Sequence, residues 1–161
     1  MEASDEKSEF KYTNEESPGL IDIFSQSPIS IELYDNNGKL VDVNQACIDL
    51  FGLNSRDDVK GLSLFQNPYL TEQAIIDLHS GKSVNYELVF DFDLVKKRNL
   101  FPTKREGICF LECFINPTKK INNEISGYTV HITEITKRKK AEEKLVRSEE
   151  RFRRIVEAST R

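Results

Sequence analysis

Between Gly81 and Glu134 the apolar residues recur at every second position in three successive runs, and no other feature narrows the fold as far. Tyr86, Leu88, Phe90 and Phe92 alternate with Glu87, Val89, Asp91 and Asp93, and GICFLECFINP and ISGYTVHITEI repeat the pattern. A period of two belongs to a strand with two unlike faces. KKRNLFPTKREG, with Pro102, reads as a long connection rather than a continuous ladder. The polar TKKINNE joins the last two strands. Upstream, Ile29, Ile31 and Leu33 alternate with Ser30, Glu32 and Tyr34, again a strand with one buried face. Asn37-Gly38 suits a type I′ turn, and Leu40, Val41 and Val43 form the return strand.

The remaining segments read as helices with local signals at their ends. GLIDIFSQSP places Leu20, Ile23 and Phe24 on one helical face, with Pro28 as the stop. Asn44 is positioned to cap QACIDLFG, whose inner face is Ala46, Leu50 and Phe51 and whose close is Gly52. Ser55 caps a short turn before Gly61. Thr71 caps TEQAIIDLHSG, with Ala74, Ile75 and Leu78 inward. A long charged helix starts near Thr136. Helix, two strands, short helices, three strands and a long helix make an antiparallel sheet with its helices grouped, an α+β fold.

Composition excludes several classes. The 161 residues suit one domain plus extensions. A net charge of −4 gives no global pull toward nucleic acid or an anionic membrane. No apolar run approaches the ~18 residues of a membrane span, so membrane insertion is not expected. With 3 Cys and no CxxC, a reducing cytoplasm fits better than a disulfide framework. Cys109 and Cys113 share a strand face, and at i,i+4 they stand ~13 Å apart, too far for one metal. They read as buried thiols. Cys47 has no His beside it. There is no phosphate-cradling Gly loop, acceptor-His word or nucleophile–base pair, so neither catalytic nor metal-binding residues are assigned.

The element order, with VNQACIDLFG and GYTVHITEITKRKKAEEKL, resembles the PAS domain over about Gly19–Lys140. Glu134-Ile135-Thr136 looks like the family's Asp-Ile-Thr hinge, with Glu in place of Asp. SEERFRRIVEAS looks like the opening helix of a further PAS domain, as in the tandem arrays of sensor histidine kinases, and the NLFPTKREGICFLECFINP insert is similar to archaeal examples. The resemblance implies a five-stranded antiparallel sheet cupping short helices around a space for a ligand. Residues 1–18, acidic, polar and without period, read as a flexible arm; the domain is expected over 19–136, and a coiled-coil linker helix over 137–161 leading into a next PAS domain. Leu64, Phe65, Ile76, Leu111, Cys113, Val130 and Ile132 are the pocket candidates. Light-sensing relatives carry a flavin-site Cys and Gln where this chain has Leu64 and Ile132. His79 closes a helix rather than facing a pocket. No cofactor is therefore expected, though an unidentified small molecule remains open.

The long helix carries a seam. Ala141, Leu145, Ser148, Phe152 and Ile155 step by four and three, a heptad pattern, and such a stripe stays wet unless a second copy covers it. A homodimer is expected, through the sheet (Phe110, Phe114), the first helix (Leu20, Ile23, Phe24) or the seam (Leu145, Phe152). Lys137-Arg138-Lys139-Lys140 opposes the helix dipole, and Glu134 is the candidate to compensate it, with Thr136 as cap and Ile135 packed on the domain. The expected role is a cytoplasmic sensory and dimerisation module, without catalysis of its own, in a histidine kinase with a downstream PAS or kinase module in the same chain. A metabolite-binding regulatory PAS of a diguanylate cyclase or transcription regulator is the alternative. A small thiol-dependent α+β enzyme is the more distant one.

Overall fold

In the computed structural model, which describes residues 18–160, the alternating runs and the hairpin join in one antiparallel sheet. Its strands are β1 (Ser30–Asp35), β2 (Leu40–Val43), β3 (Val84–Asp91), β4 (Ile108–Lys119) and β5 (Ile125–Glu134). Their spatial order is β2-β1-β5-β4-β3. Helices α1 (Pro18–Gln26), α2 (Gln45–Phe51), α3 (Glu72–His79), α4 (Phe92–Lys97) and α5 (Thr136–Ser159) complete the chain, with short 3-10 turns at Arg56–Val59 and Leu64–Gln66. Apart from Pro18, the acidic arm lies outside the described residues. The core forms where α2, the turns, α3 and α4 meet the inner sheet face, with Leu78, Phe92, Leu111 and Ile115 at most 1% exposed.

The local end signals act as their chemistry requires. The Asn44 side chain accepts from the Cys47 amide and caps α2, and Gly52, at φ 62°, closes it by donating to the Ile48 and Asp49 carbonyls. Ser55 forms a capping box with Asp58, and Thr71 caps α3. The buried side of α2 is carried by Cys47 and Phe51, while Ala46 and Leu50 are half-buried.

Three local expectations change. The hairpin turn is not type I′, because Gly38 has positive φ and Asn37 does not. The Gly38 amide instead donates to the Asp35 carbonyl, and the Asp35 side chain accepts from the Asn37 and Lys39 amides. One left-handed residue thus suffices for a turn followed by a bulge. The alternation from Tyr86 through Asp93 is not one strand, because β3 ends at Asp91. Asp91 accepts from the Asp93 and Leu94 amides and starts α4, which swings Phe92 into the core.

The third change concerns β1, whose more polar face points inward. Ser30 and Tyr34 are buried, whereas Ile29 is exposed and Ile31 and Leu33 are half-buried. The cause is register. Ser30, Glu32 and Tyr34 stand opposite Ile132, Val130 and Tyr128 of β5, all inward-facing, and in a period-two element one such pairing fixes every side chain. A glutamate is thereby carried to the inner face.

Candidate functional site

Between the inner sheet face and the helical cover lies a cavity of about 330 Å³, at the small end of the ~300–1,000 Å³ typical of ligand sites. Glu32 is its acidic wall. The Tyr34 hydroxyl donates to Glu32 Oε2 at 2.8 Å, and the Cys47 thiol approaches Oε1 at 3.8 Å. Burial pushes the Glu32 carboxyl above the ordinary glutamate value, against the lowering effect of those two hydrogen bonds. Burial also raises the Cys47 and Tyr86 groups, and pushes the Cys113 thiol up to about 12. These thiols are held protonated, the opposite of what a nucleophile needs.

Of the residues expected around a pocket, Leu64, Leu111, Cys113, Val130 and Ile132 line this cavity together, and Phe65 and Ile76 do not. Phe65 is spent on packing outside it, 4.5 Å from the His79 ring and edge-on to Tyr128. Ile76 is 59% exposed. Ala74 and Leu78, four apart, share the buried stripe of α3, and a residue midway between them points the other way. Glu32, Tyr34, Cys47 and Tyr86 line the cavity without having been expected there. No group of three His, Cys, Asp or Glu side chains among the described residues is placed to hold a metal.

The second element of the site is the joint between β5 and α5. The Ile135 amide donates to the Phe110 carbonyl at 2.8 Å, and the Phe110 amide donates to Thr136 Oγ1 at 3.0 Å. The β4–β5 ladder therefore continues into the first helical residue, with Ile135 only 5% exposed beneath it. Thr136 does not cap α5: its hydroxyl is used on β4 and reaches Glu134 at 3.3 Å.

Glu134 makes no ion pair with Lys137 or Arg138, and Lys137 acts on it only as a weaker, longer-range charge. Glu134 receives both arms of Arg105 at 3.0 and 3.2 Å, and that pairing holds its carboxyl below the usual range. Arg105 also donates to the Leu50 carbonyl at 2.7 Å and lies 4.5 Å over the Phe92 ring, tying the strand end to α2. The basic start is held from the outer sheet face. Arg138 donates to Glu87 at 2.9 Å and stands 3.9 Å from Glu112, and Lys139 pairs with Glu87. Glu87 and Glu112 are directly opposed on β3 and β4, a like-charge pair that is unfavourable alone; Arg138 bridges the two and Lys139 adds a second cation at Glu87.

Comparison with known proteins adds the family. Residues 20–82, from α1 through α3, match the family profile described as PAS domain. The chain contains a PAS domain. Beyond this profile, the sheet order and grouped helices are shared with solved PAS structures. A PAS domain from Colwellia psychrerythraea superposes at TM-score 0.55 with 18% identity, covering 73% of this chain and 95% of that one. The PAS domain of the fruit-fly ELK potassium channel gives 0.54 with 16% identity, over 73% and 94%. An RNA-binding light-oxygen-voltage receptor gives 0.61 with 15% identity, over 81% of this chain and 36% of that one. At these identities the likeness concerns the fold. No curated protein sequence matches the chain. The PAS assignment makes the domain a sensory module of signal transduction, and among the described residues no helix is long and apolar enough to cross a membrane.

Proposed function

We propose that this PAS domain is a cytoplasmic sensory and dimerisation module, residues 19–136, that passes a conformational signal through a linker helix, residues 137–161, to a histidine kinase or a further PAS module in the same chain. The observation that carries the reading is the joint. The strands whose inner faces line the cavity, β4 and β5, are the strands to which the start of α5 is bonded. A ligand that shifts Leu111, Cys113 or Ile132 therefore moves the backbone that sets the direction of α5. Beyond the joint α5 packs on no other element among the described residues: Leu145 and Phe152 are 61% and 69% exposed. A second copy is the natural cover, together with the exposed Leu20, Ile23 and Phe114; Phe24 and Phe110 are half-buried and contribute less. Leu64 and Ile132 in the cavity wall argue for a ligand other than a flavin. The protonated, buried thiols argue against catalysis by the domain itself.

The test uses the phase of a helical seam. One residue inserted after Lys140 turns everything downstream by ~100°, whereas seven nearly restore it. In the parent protein, the single insertion is expected to abolish or invert regulation of the output, and the heptad insertion to keep it within about twofold. Equal regulation in both would reduce α5 to a tether.

A further inference from the structure

The carboxylate in the cavity wall identifies the kind of ligand the domain is built to hold. Glu32 projects from the middle of a central strand into a mainly apolar space. Among the described residues no Lys, Arg or His stands against it; its partners are the Tyr34 hydroxyl and the Cys47 thiol. Both are neutral donors, and together they leave part of the carboxylate's acceptor capacity unused. An isolated buried charge is costly, and neither stability nor packing calls for one at this position. Aromatic rings, among them Phe51, Tyr86 and Phe90, line the same cavity, and such rings attract cations through their negative face.

We propose that the cavity takes a small organic cation, with an amine-type or amidine-type nitrogen on a compact apolar body, whose N–H groups donate to Glu32 while the aromatic walls enclose the rest. Asp91 and the exposed Arg98 also line the cavity, but neither acts on Glu32, and the ligand supplies the counter-charge that Glu32 lacks. This inference rests on the reading of the domain as a sensor and names the chemistry of its signal.

The groups facing Glu32 make the consequence specific. Tyr34 on β1, Cys47 on α2, Tyr86 on β3 and Cys113 on β4 all have their ionisation pushed upward, so all stay neutral from mildly acidic to neutral pH. Glu32 is the carboxylic acid among them, and the one whose charge is lost as the pH falls. Burial raises its carboxyl. A cation binds the ionised form, so binding releases a proton, and affinity falls as pH falls through that raised value.

The 161-residue chain should be titrated calorimetrically with three cations, benzamidinium, benzylammonium and phenethylammonium, each beside its neutral counterpart, benzamide, benzyl alcohol and 2-phenylethanol. At least one cation is expected to bind about tenfold or more tighter than its counterpart, the scale of a charge-assisted hydrogen bond over a neutral one. Glu32→Gln should erase both the preference and the pH dependence. Tyr34→Phe, which removes a donor to the carboxylate, should keep the preference and move the fall in affinity to higher pH; this variant keeps the test decisive if Glu32→Gln folds poorly. Equal binding of neutral counterparts, binding of no cation, or an unchanged preference in Glu32→Gln would overturn the proposal. Those results would leave the sensor reading to the insertions after Lys140, which involve no cavity residue.

Discussion

Asn44→Ala is expected to lower the stability of the domain by at least about 3 kcal/mol, a large share of the ~5–15 kcal/mol available to a domain. Asn44 is 1% exposed, and its amide group makes four hydrogen bonds. Its oxygen accepts from the Ile31 amide at 2.9 Å and the Cys47 amide at 3.0 Å, and its nitrogen donates to the Phe24 carbonyl at 3.0 Å and the Ile29 carbonyl at 2.9 Å. One side chain thus joins α1, β1 and α2 and fixes the strand that carries Glu32. Alanine removes the helix cap, worth about 1 kcal/mol, and leaves backbone groups without partners, at about 1–3 kcal/mol for each that stays buried. Urea denaturation measures this as a lower midpoint at unchanged slope. Asn44→Asp keeps both acceptor contacts, loses both donor contacts, and should fall between the two. A loss under about 1 kcal/mol for alanine would mean that water or rearranged backbone satisfies these groups.

The second large effect is expected at the outer face of the joint. With Glu87→Lys and Glu112→Lys together, the basic start of α5 would face two new cations instead of the carboxylates that now receive Arg138 and Lys139. The helix dipole already disfavours cations at this end. Amide exchange across residues 137–142 should rise by about tenfold or more, with the sheet unaffected. Each exposed ion pair is weak alone, so the decisive variant is the swap. Adding Arg138→Glu and Lys139→Glu to the reversed glutamates should bring exchange back toward the original rate, as expected when paired charges rather than either side chain carry the effect. Exchange that is unchanged by the reversal, or not rescued by the swap, would remove the ion pairs from the account.

The contrast between these two sites shows what the sequence could and could not disclose. Asn44, Ser55 and Thr71 are legible as caps because a cap bonds to backbone two or three residues away. The strands are legible because alternation is local, and so is the packing of Ile135 beside them. The inward face of β1 is not, because its polarity pattern favours Ile29, Ile31 and Leu33, while the choice is made by β5, about a hundred residues downstream. Phe92 continued the alternation of β3 and is apolar for a different reason, as a core residue of α4 behind an Asp91 cap. The partners of Arg138 and Glu134 lie 51 and 29 residues away. Glu134 was the nearest acid to the basic run, and proximity along the chain pointed to the wrong pair. For the cavity, one apolar residue looks like another. The informative residue was the acid on a central strand, whose position became visible only with the register.

Sheet and output helix are expected to move as one piece through Ile135 and Thr136. Native-state hydrogen exchange resolved by residue tests this most directly, because the two amides that make the joint, Ile135 and Phe110, have no other role in fixing α5. Both are expected to exchange in the slow class of the β4–β5 ladder, alongside Glu112, Phe114, His131 and Thr133, opening only when the sheet itself opens. Exchange of Ile135 and Phe110 orders of magnitude faster than the ladder would mean that the joint opens independently, and a helix hung on such a joint would not transmit what the cavity senses.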